Sequence, residues 1–184
     1  TSPYSDPSQP VYMNHVMEEI AAITPTDQTV PIQEAHKFDT TALEAFMREN
    51  VEGFTSPLEL SQFRGGMSNP TFMVIDGGGK RYVLRKKPPG DLLPSAHAVD
   101  REFKIISAIA STGVPVSKAY ALCEDESVVG QIFYVMEFKD GRVFRGVDLP
   151  DLRAQERGEI YNNMADILAE LHEIDYAAVG LGDF

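Results

Sequence analysis

The sequence predicts an α+β protein: a five-stranded antiparallel sheet with one packed helix, then a hinge and the first long helix of a second lobe. Three observations carry this reading. Strand-like apolar runs recur along the middle of the chain, a helical period interrupts them after the third, and a long helical pattern follows a polar connector. No internal repeat is visible.

Residues 1–37 are rich in Pro, Ser, Thr and Gln, with prolines at 3, 7, 10, 25 and 31, and read as an extended N-terminal arm. Within it Met13, Val16, Met17, Ile20 and Ile23 recur at helical spacing, which suits either a short amphipathic helix or a frayed turn. A compact unit is expected over 38–139. Asp39 or Thr40 can cap a helix with the face Leu43, Phe46, Met47 and Val51, and Gly53 lies just past its end. Strands are expected at about 58–64, 70–76 and 80–86. The last two are joined by Asp76-Gly77-Gly78-Gly79, where glycine supplies the positive φ of a tight hairpin. A helix from Ser95 or Ala96 to Ser111 follows, with the stripe Val99, Phe103, Ile106 and Ala110. Strands at about 116–123 and 131–138 flank the polar stretch Glu124–Gly130. Residues 140–184 form the hinge and the start of an incomplete second lobe. Their helix, 151–174, runs through Ile160, Met164, Ile167, Leu168 and Leu171.

Composition narrows the function. The 184 residues are 43% hydrophobic and 24% charged, which suits about one globular domain and not a disordered chain. With 28 acidic and 16 basic residues the formal net charge is -12, which argues against a general nucleic-acid binder but leaves room for a small phosphate ligand held by local cations. The single cysteine, Cys123, suits a reducing compartment, and no apolar run reaches the ~18 residues of a membrane span. Asn69-Pro70-Thr71 is disqualified as a glycosylation site by its proline. A cytoplasmic protein is the expectation.

Three local features could carry chemistry. Phe63-Arg64-Gly65-Gly66-Met67-Ser68-Asn69 lies between two strands; its glycines can bare backbone N–H groups, and Ser68 and Asn69 add donors for an anionic phosphate. Turn chemistry alone favours an empty hairpin there, and the loop is not a Walker A motif. In Tyr82-Val83-Leu84-Arg85-Lys86-Lys87, alternation puts Val83 and Arg85 on one face and Leu84 and Lys86 on the other. A cation on a packed face needs a partner, and Glu102 beside the helical stripe can supply one. A solvated basic strand end is the plainer alternative. Finally, Phe133–Phe138 breaks into Lys139-Asp140-Gly141, the kind of connector that joins two lobes and offers backbone groups to a planar base.

Taken together these residues resemble the N-terminal lobe of the protein-kinase-like fold, and more narrowly the aminoglycoside-phosphotransferase-like family, in the branch related to the kinase-like domains of some acyl-CoA dehydrogenases. The resemblance rests on Phe63–Phe72, Tyr82–Gly90, Leu92–Phe103, Tyr134–Phe138, Leu168–Asp175 and Val179–Phe184, and covers about residues 38–184. It implies that Gly65, Gly66, Met67, Ser68 and Asn69 lie over the phosphates of ATP. Arg85 would stand where such kinases place a lysine, with Glu102 orienting it; arginine is a departure, because it presents a planar fork in place of a point charge. Lys86 is a substitute that alternation turns to the wrong face. Met136 would back the adenine pocket, and Glu137 and Phe138 would present backbone to the base.

The resemblance also implies a catalytic Asp in a His-Gly-Asp-type loop and an acidic motif for Mg²⁺, neither of which occurs before Phe184. Gly182-Asp183-Phe184 precedes any such loop and lacks a following glycine, so Asp183 reads as a turn residue. No catalytic and no metal residue is assigned. His172 reads as a packing or capping residue and His97 lies near where phosphates would pass, while His15 and His36 fall in the arm. The expected function is the ATP-binding portion of a small-molecule phosphotransferase acting on a hydroxyl of a small metabolite, a hydroxyacyl-CoA or an aminoglycoside-like compound. This stretch alone is expected to be truncated and inactive, with Mg²⁺ bound in the missing lobe. The alternative is a non-catalytic nucleotide-sensing or protein-interaction module. Self-association through the arm or the exposed final helix is a further expectation.

Overall fold

The computed structural model describes residues 29–64, 69–90, 97–144 and 146–184. Expectations that fall on 1–28, 65–68 and 91–96 lie outside the described residues.

Among the described residues the sheet has six strands where the sequence reading expects five: β1 (Thr29–Val30), β2 (Glu59–Phe63), β3 (Thr71–Ile75), β4 (Arg81–Lys86), β5 (Ala119–Cys123) and β6 (Phe133–Glu137). All neighbours are antiparallel, in the order β1-β2-β3-β4-β6-β5. The extra strand is β1, two residues that pair with Phe63 and Gln62. So short a strand has no legible period, and its prolines at 25 and 31 hide it. The chain after it is stitched to β2 by Gln62, whose Oε1 accepts from the Gln33 N–H at 3.1 Å and whose Nε2 lies 2.9 Å from His36 Nδ1. The amide's orientation makes His36 Nδ1 the acceptor.

Helix α1 (Thr40–Asn50) starts where Asp39 accepts from the Thr41 N–H at 2.8 Å and ends three residues before Gly53, whose φ is +76°. Its buried residues Leu43 and Met47, four apart, share one face. That face joins Phe72 and Val74 of β3, Tyr82 and Leu84 of β4, Phe133 and Val135 of β6, and Ala121 and Cys123 of β5 in one apolar core.

Helix α2 (Val99–Ile109) packs on the opposite face, where its Phe103 ring meets Tyr134 edge-on with centroids 6.0 Å apart. The sheet therefore carries a helix on each face, and the expectation of one packed helix is corrected. The α2 stripe also shifts: Val99 and Ile109 are its buried residues, and Ala110 is exposed beyond the helix end. Within the polar stretch 124–130, Glu126–Val129 forms a short helix, α3, which Asp125 caps at one end and Gly130, at φ +83°, closes at the other. Val129 is buried in the core.

The final helix, α4 (Ala154–His172), has no buried residue. Of the expected stripe, Met164, Leu168 and Leu171 are exposed and Ile160 and Ile167 half-buried, and His172 ends the helix exposed. Among the described residues no helix is long and apolar enough to cross a membrane.

Candidate functional site

The site grows from one strand. In β4 the residues alternate, so Arg81, Val83 and Arg85 face α2's side of the sheet while Tyr82, Leu84 and Lys86 face the core. Lys86 is 4% exposed, donates to the Val129 carbonyl at 3.0 Å and lies 4.8 Å from the centre of the Phe38 ring. Burial holds its pKa below the ordinary lysine value. It is unavailable to a ligand on the other face.

Arg85 meets Glu102 of α2 side-on, with Nε to Oε2 at 2.6 Å and a second guanidinium nitrogen to Oε1 at 3.3 Å. A longer bond of 3.4 Å reaches Thr71 Oγ1. The guanidinium has five N–H groups, so these bonds leave donors to spare. Glu102 accepts two more bonds, from Tyr134 O–H at 3.1 Å and from Asn69 Nδ2 at 3.1 Å. Burial first, and then the Glu102 charge, hold the Tyr134 hydroxyl protonated well above the ordinary tyrosine range. Asn69 is 3% exposed and accepts in turn from His97. One carboxylate thus gathers the segment ahead of β3, strands β4 and β6, and helix α2 into a single polar network.

Of the residues expected from sequence, Asn69, Arg85 and Glu102 are brought together, while Gly65, Gly66, Met67 and Ser68 lie outside the described residues. One of the two N–H groups of the Asn69 amide is engaged by Glu102. Met136 pairs with Val83 and shares a face with Tyr134. Glu137 pairs with Tyr82, three residues along β4 from Arg85 and so about 10 Å away at the usual strand rise. Lys139, 2.6 Å from its carboxylate, and the Lys118 N–H at 3.2 Å hold Glu137 below the usual carboxylate range. Phe138 is covered by the Arg81 guanidinium at 4.4 Å, and Arg81 also pairs with Asp140 at 3.0 Å, so the connector is pinned to the sheet. Sequence reasoning missed Tyr134 and Thr71. Alternation from Met136 could have placed Tyr134 on this face, but only strand register sets it opposite Arg85. Among the described residues no group of three or more His, Cys, Asp or Glu side chains is arranged to hold a metal ion.

A side-on cation–carboxylate pair between the third long strand and the helix that follows it is the hallmark of kinase-like phosphotransferase lobes. The chain belongs to the phosphotransferase enzyme family, whose model matches residues 59–184. It is 51% identical over 162 residues to the Arabidopsis thaliana protein named Probable acyl-CoA dehydrogenase IBR3, covering 84% of this chain and 20% of that one. It is 46% identical over 163 residues to mouse acyl-CoA dehydrogenase family member 11, covering 86% and 21%. A Ralstonia eutropha crystal structure named for aminoglycoside phosphotransferase matches with a TM-score of 0.70 and 49% identity, over 80% of this chain and 42% of that one. The fold is that of the kinase-like aminoglycoside phosphotransferases. The chain spans about a fifth of the length of the curated relatives it matches.

Proposed function

We propose that these residues form the ATP-binding portion of a phosphotransferase that moves the γ-phosphoryl group of ATP to a hydroxyl of a small metabolite. The observation that carries the reading is the Arg85–Glu102 pair, a cation with spare donors fixed on the sheet face opposite the core. In this reading Arg85 binds the α- and β-phosphates, and Gly65, Gly66, Met67, Ser68 and Asn69 form the loop over them. Met136, Glu137 and Phe138, about 10 Å along the sheet, would receive the base. Their distance from Arg85 suits the span between a nucleotide's base and its phosphates.

The donor set fits a polyphosphate, because arginine stays charged at any working pH and its planar fork suits paired phosphate oxygens. Mg²⁺, when bound with the nucleotide, would neutralise phosphate charge; its ligands and the base that takes the acceptor's proton are assigned to residues outside these 184, so this stretch alone is inactive. In the transfer the bond from the γ-phosphorus to the ADP oxygen breaks and one to the acceptor oxygen forms. The acyl-CoA dehydrogenase names of the relatives favour a hydroxyacyl-CoA acceptor, and the structural neighbour's name keeps an aminoglycoside-like compound as the alternative. Isolated, the chain should self-associate through the exposed Met164, Leu168 and Leu171 of α4, which sedimentation would report. A cytoplasmic setting belongs to the same reading.

Calorimetric titration with Mg·ATP tests the site. Arg85→Ala and Glu102→Ala should each weaken binding about ten- to a hundredfold, the worth of charged hydrogen bonds. Unchanged affinity in both variants, or no binding by the unsubstituted chain, sinks the proposal. One observation favours a second reading, a nucleotide sensor without catalysis: Arg85 stands in place of the usual lysine. Phosphoryl transfer to a panel of hydroxyacyl-CoA compounds, by a protein that carries these residues together with a catalytic lobe, would exclude it.

A further inference from the structure

We infer that His97 is a positioning residue for this site: through the amide of Asn69 it sets the carboxylate of Glu102 and, with it, Arg85. The inference rests on the ATP-binding reading above and extends it to a side chain that does not touch Arg85. The logic begins with donors and acceptors. Asn69 Nδ2 donates to Glu102 Oε1, so Asn69 Oδ1 can only accept, and the ring atom 2.9 Å from it, His97 Nδ1, must carry its proton. An asparagine amide has two orientations of nearly equal shape. In the flipped one its oxygen would face the Glu102 carboxylate and its nitrogen would face the His97 N–H, an unfavourable contact at both ends. Because a neutral histidine can exchange tautomers, it is the Glu102 carboxylate, an acceptor only, that fixes the amide's orientation, and the His97 N–H then holds the amide oxygen in it.

Two further facts give the choice consequence. Asn69 is 3% exposed, so water offers little substitute for a lost partner. His97 holds a left-handed backbone, φ +58°, unusual for a residue with a Cβ, and its carbonyl accepts from the Val99 N–H at 2.9 Å where α2 begins. The fold thus keeps a strained residue at the start of the very helix that carries Glu102, with its ring turned onto the residue that holds Glu102 in place.

The test uses His97→Gly, which adopts the left-handed backbone freely, and His97→Asn, which tolerates it and retains a side-chain N–H donor. Affinities of the 184-residue chain for Mg·ATP and for adenosine would be measured by calorimetry. His97→Gly should weaken Mg·ATP about three- to tenfold, the net worth of one buried hydrogen bond, and leave adenosine unchanged. His97→Asn should recover the unsubstituted affinity within about twofold. Asn69→Ala should weaken Mg·ATP as well, and adding His97→Gly to it should cost little more, because the two act in series. Equal loss for adenosine, or no rescue by asparagine, would show a role in starting α2 only and overturn the inference. Unchanged Mg·ATP binding in His97→Gly would do the same. If the unsubstituted chain binds no Mg·ATP, the ATP reading itself has failed, and the His97 tautomer still decides the local claim. Long-range ¹⁵N NMR should find the Nδ1-protonated ring; an Nε2-protonated ring refutes the hydrogen-bond order on which everything here depends.

Discussion

Arg85 and Lys86 are adjacent cations with opposite fates, and their difference is the most direct lesson at the scale of single residues. Arg85 lies beside a carboxylate on the α2 side of the sheet, while Lys86 is driven into the core against Phe38 and the Val129 carbonyl. Because burial lowers the Lys86 pKa from 10.5, the unfolded chain binds this proton more tightly than the folded one. Its charge therefore opposes folding below the depressed pKa, and the opposition fades as pH rises from there toward 10.5. Compared with Lys86→Met, the unsubstituted protein should gain stability across that alkaline window; parallel pH slopes in urea denaturation would contradict this. Tyr134→Phe removes one of the donors held by Glu102 and should cost about 1.5–3 kcal/mol in the same assay, the range for a hydrogen bond to a charged group. Alternation made the opposed faces of Arg85 and Lys86 legible in the sequence. The role of Tyr134 was not, because cross-strand register is a property of two segments at once.

At the scale of elements, the β3–β4 hairpin shows why the glycines at 77–79 are not equivalent. Asp76 organises the turn: Oδ1 accepts from the Gly78 and Lys80 N–H groups, each at 2.9 Å, and Oδ2 accepts from the Thr55 N–H and the Tyr82 hydroxyl, each at 3.3 Å. A Cβ at Gly77 would fall 2.4 Å from the Ser56 carbonyl oxygen, a backbone atom that cannot swing aside. Gly79 has open space around it but a φ of +82°. Gly77→Ala should thus destabilise by about 1–3 kcal/mol through a steric clash, and Gly79→Ala by about 1–2 kcal/mol through backbone strain. Only Gly77→Ala should also displace the Ser56 segment, which amide chemical shifts near Thr55 would register. The sequence announced this hairpin, since an Asp-Gly run between alternating strands has few other uses. It could not announce that one glycine is needed for room and another for φ, because the Ser56 carbonyl comes from a segment twenty-one residues earlier.

For the whole molecule, stability and apolar character are unevenly placed. The core joins α1, α3 and one face of the sheet, whereas α4 contributes no buried residue. Leu43→Ala, at a fully buried site, should cost about 2–5 kcal/mol in chemical denaturation. Leu168→Gln, at a site 51% exposed, should change stability by less than about 0.5 kcal/mol. Comparable losses from the two would mean that α4 belongs to the core after all. The period of α4 was readable from sequence, but a period reports only that a face is apolar, not that anything covers it.

What the sequence determined alone is everything set by neighbours along the chain: the Asp39 cap, the glycine hairpin, and the alternation that separates Arg85 from Lys86. The resemblance built on those motifs also named the family correctly. Tertiary structure alone decided the sixth strand, the helix on each face and the convergence of Asn69, Arg85 and Tyr134 on the one carboxylate of Glu102. The physical reason is range. Caps, turns and periodicity are energies of residues a few positions apart, while a half-buried carboxylate chooses its donors from whatever the folded sheet and helix bring within 3 Å or so of it.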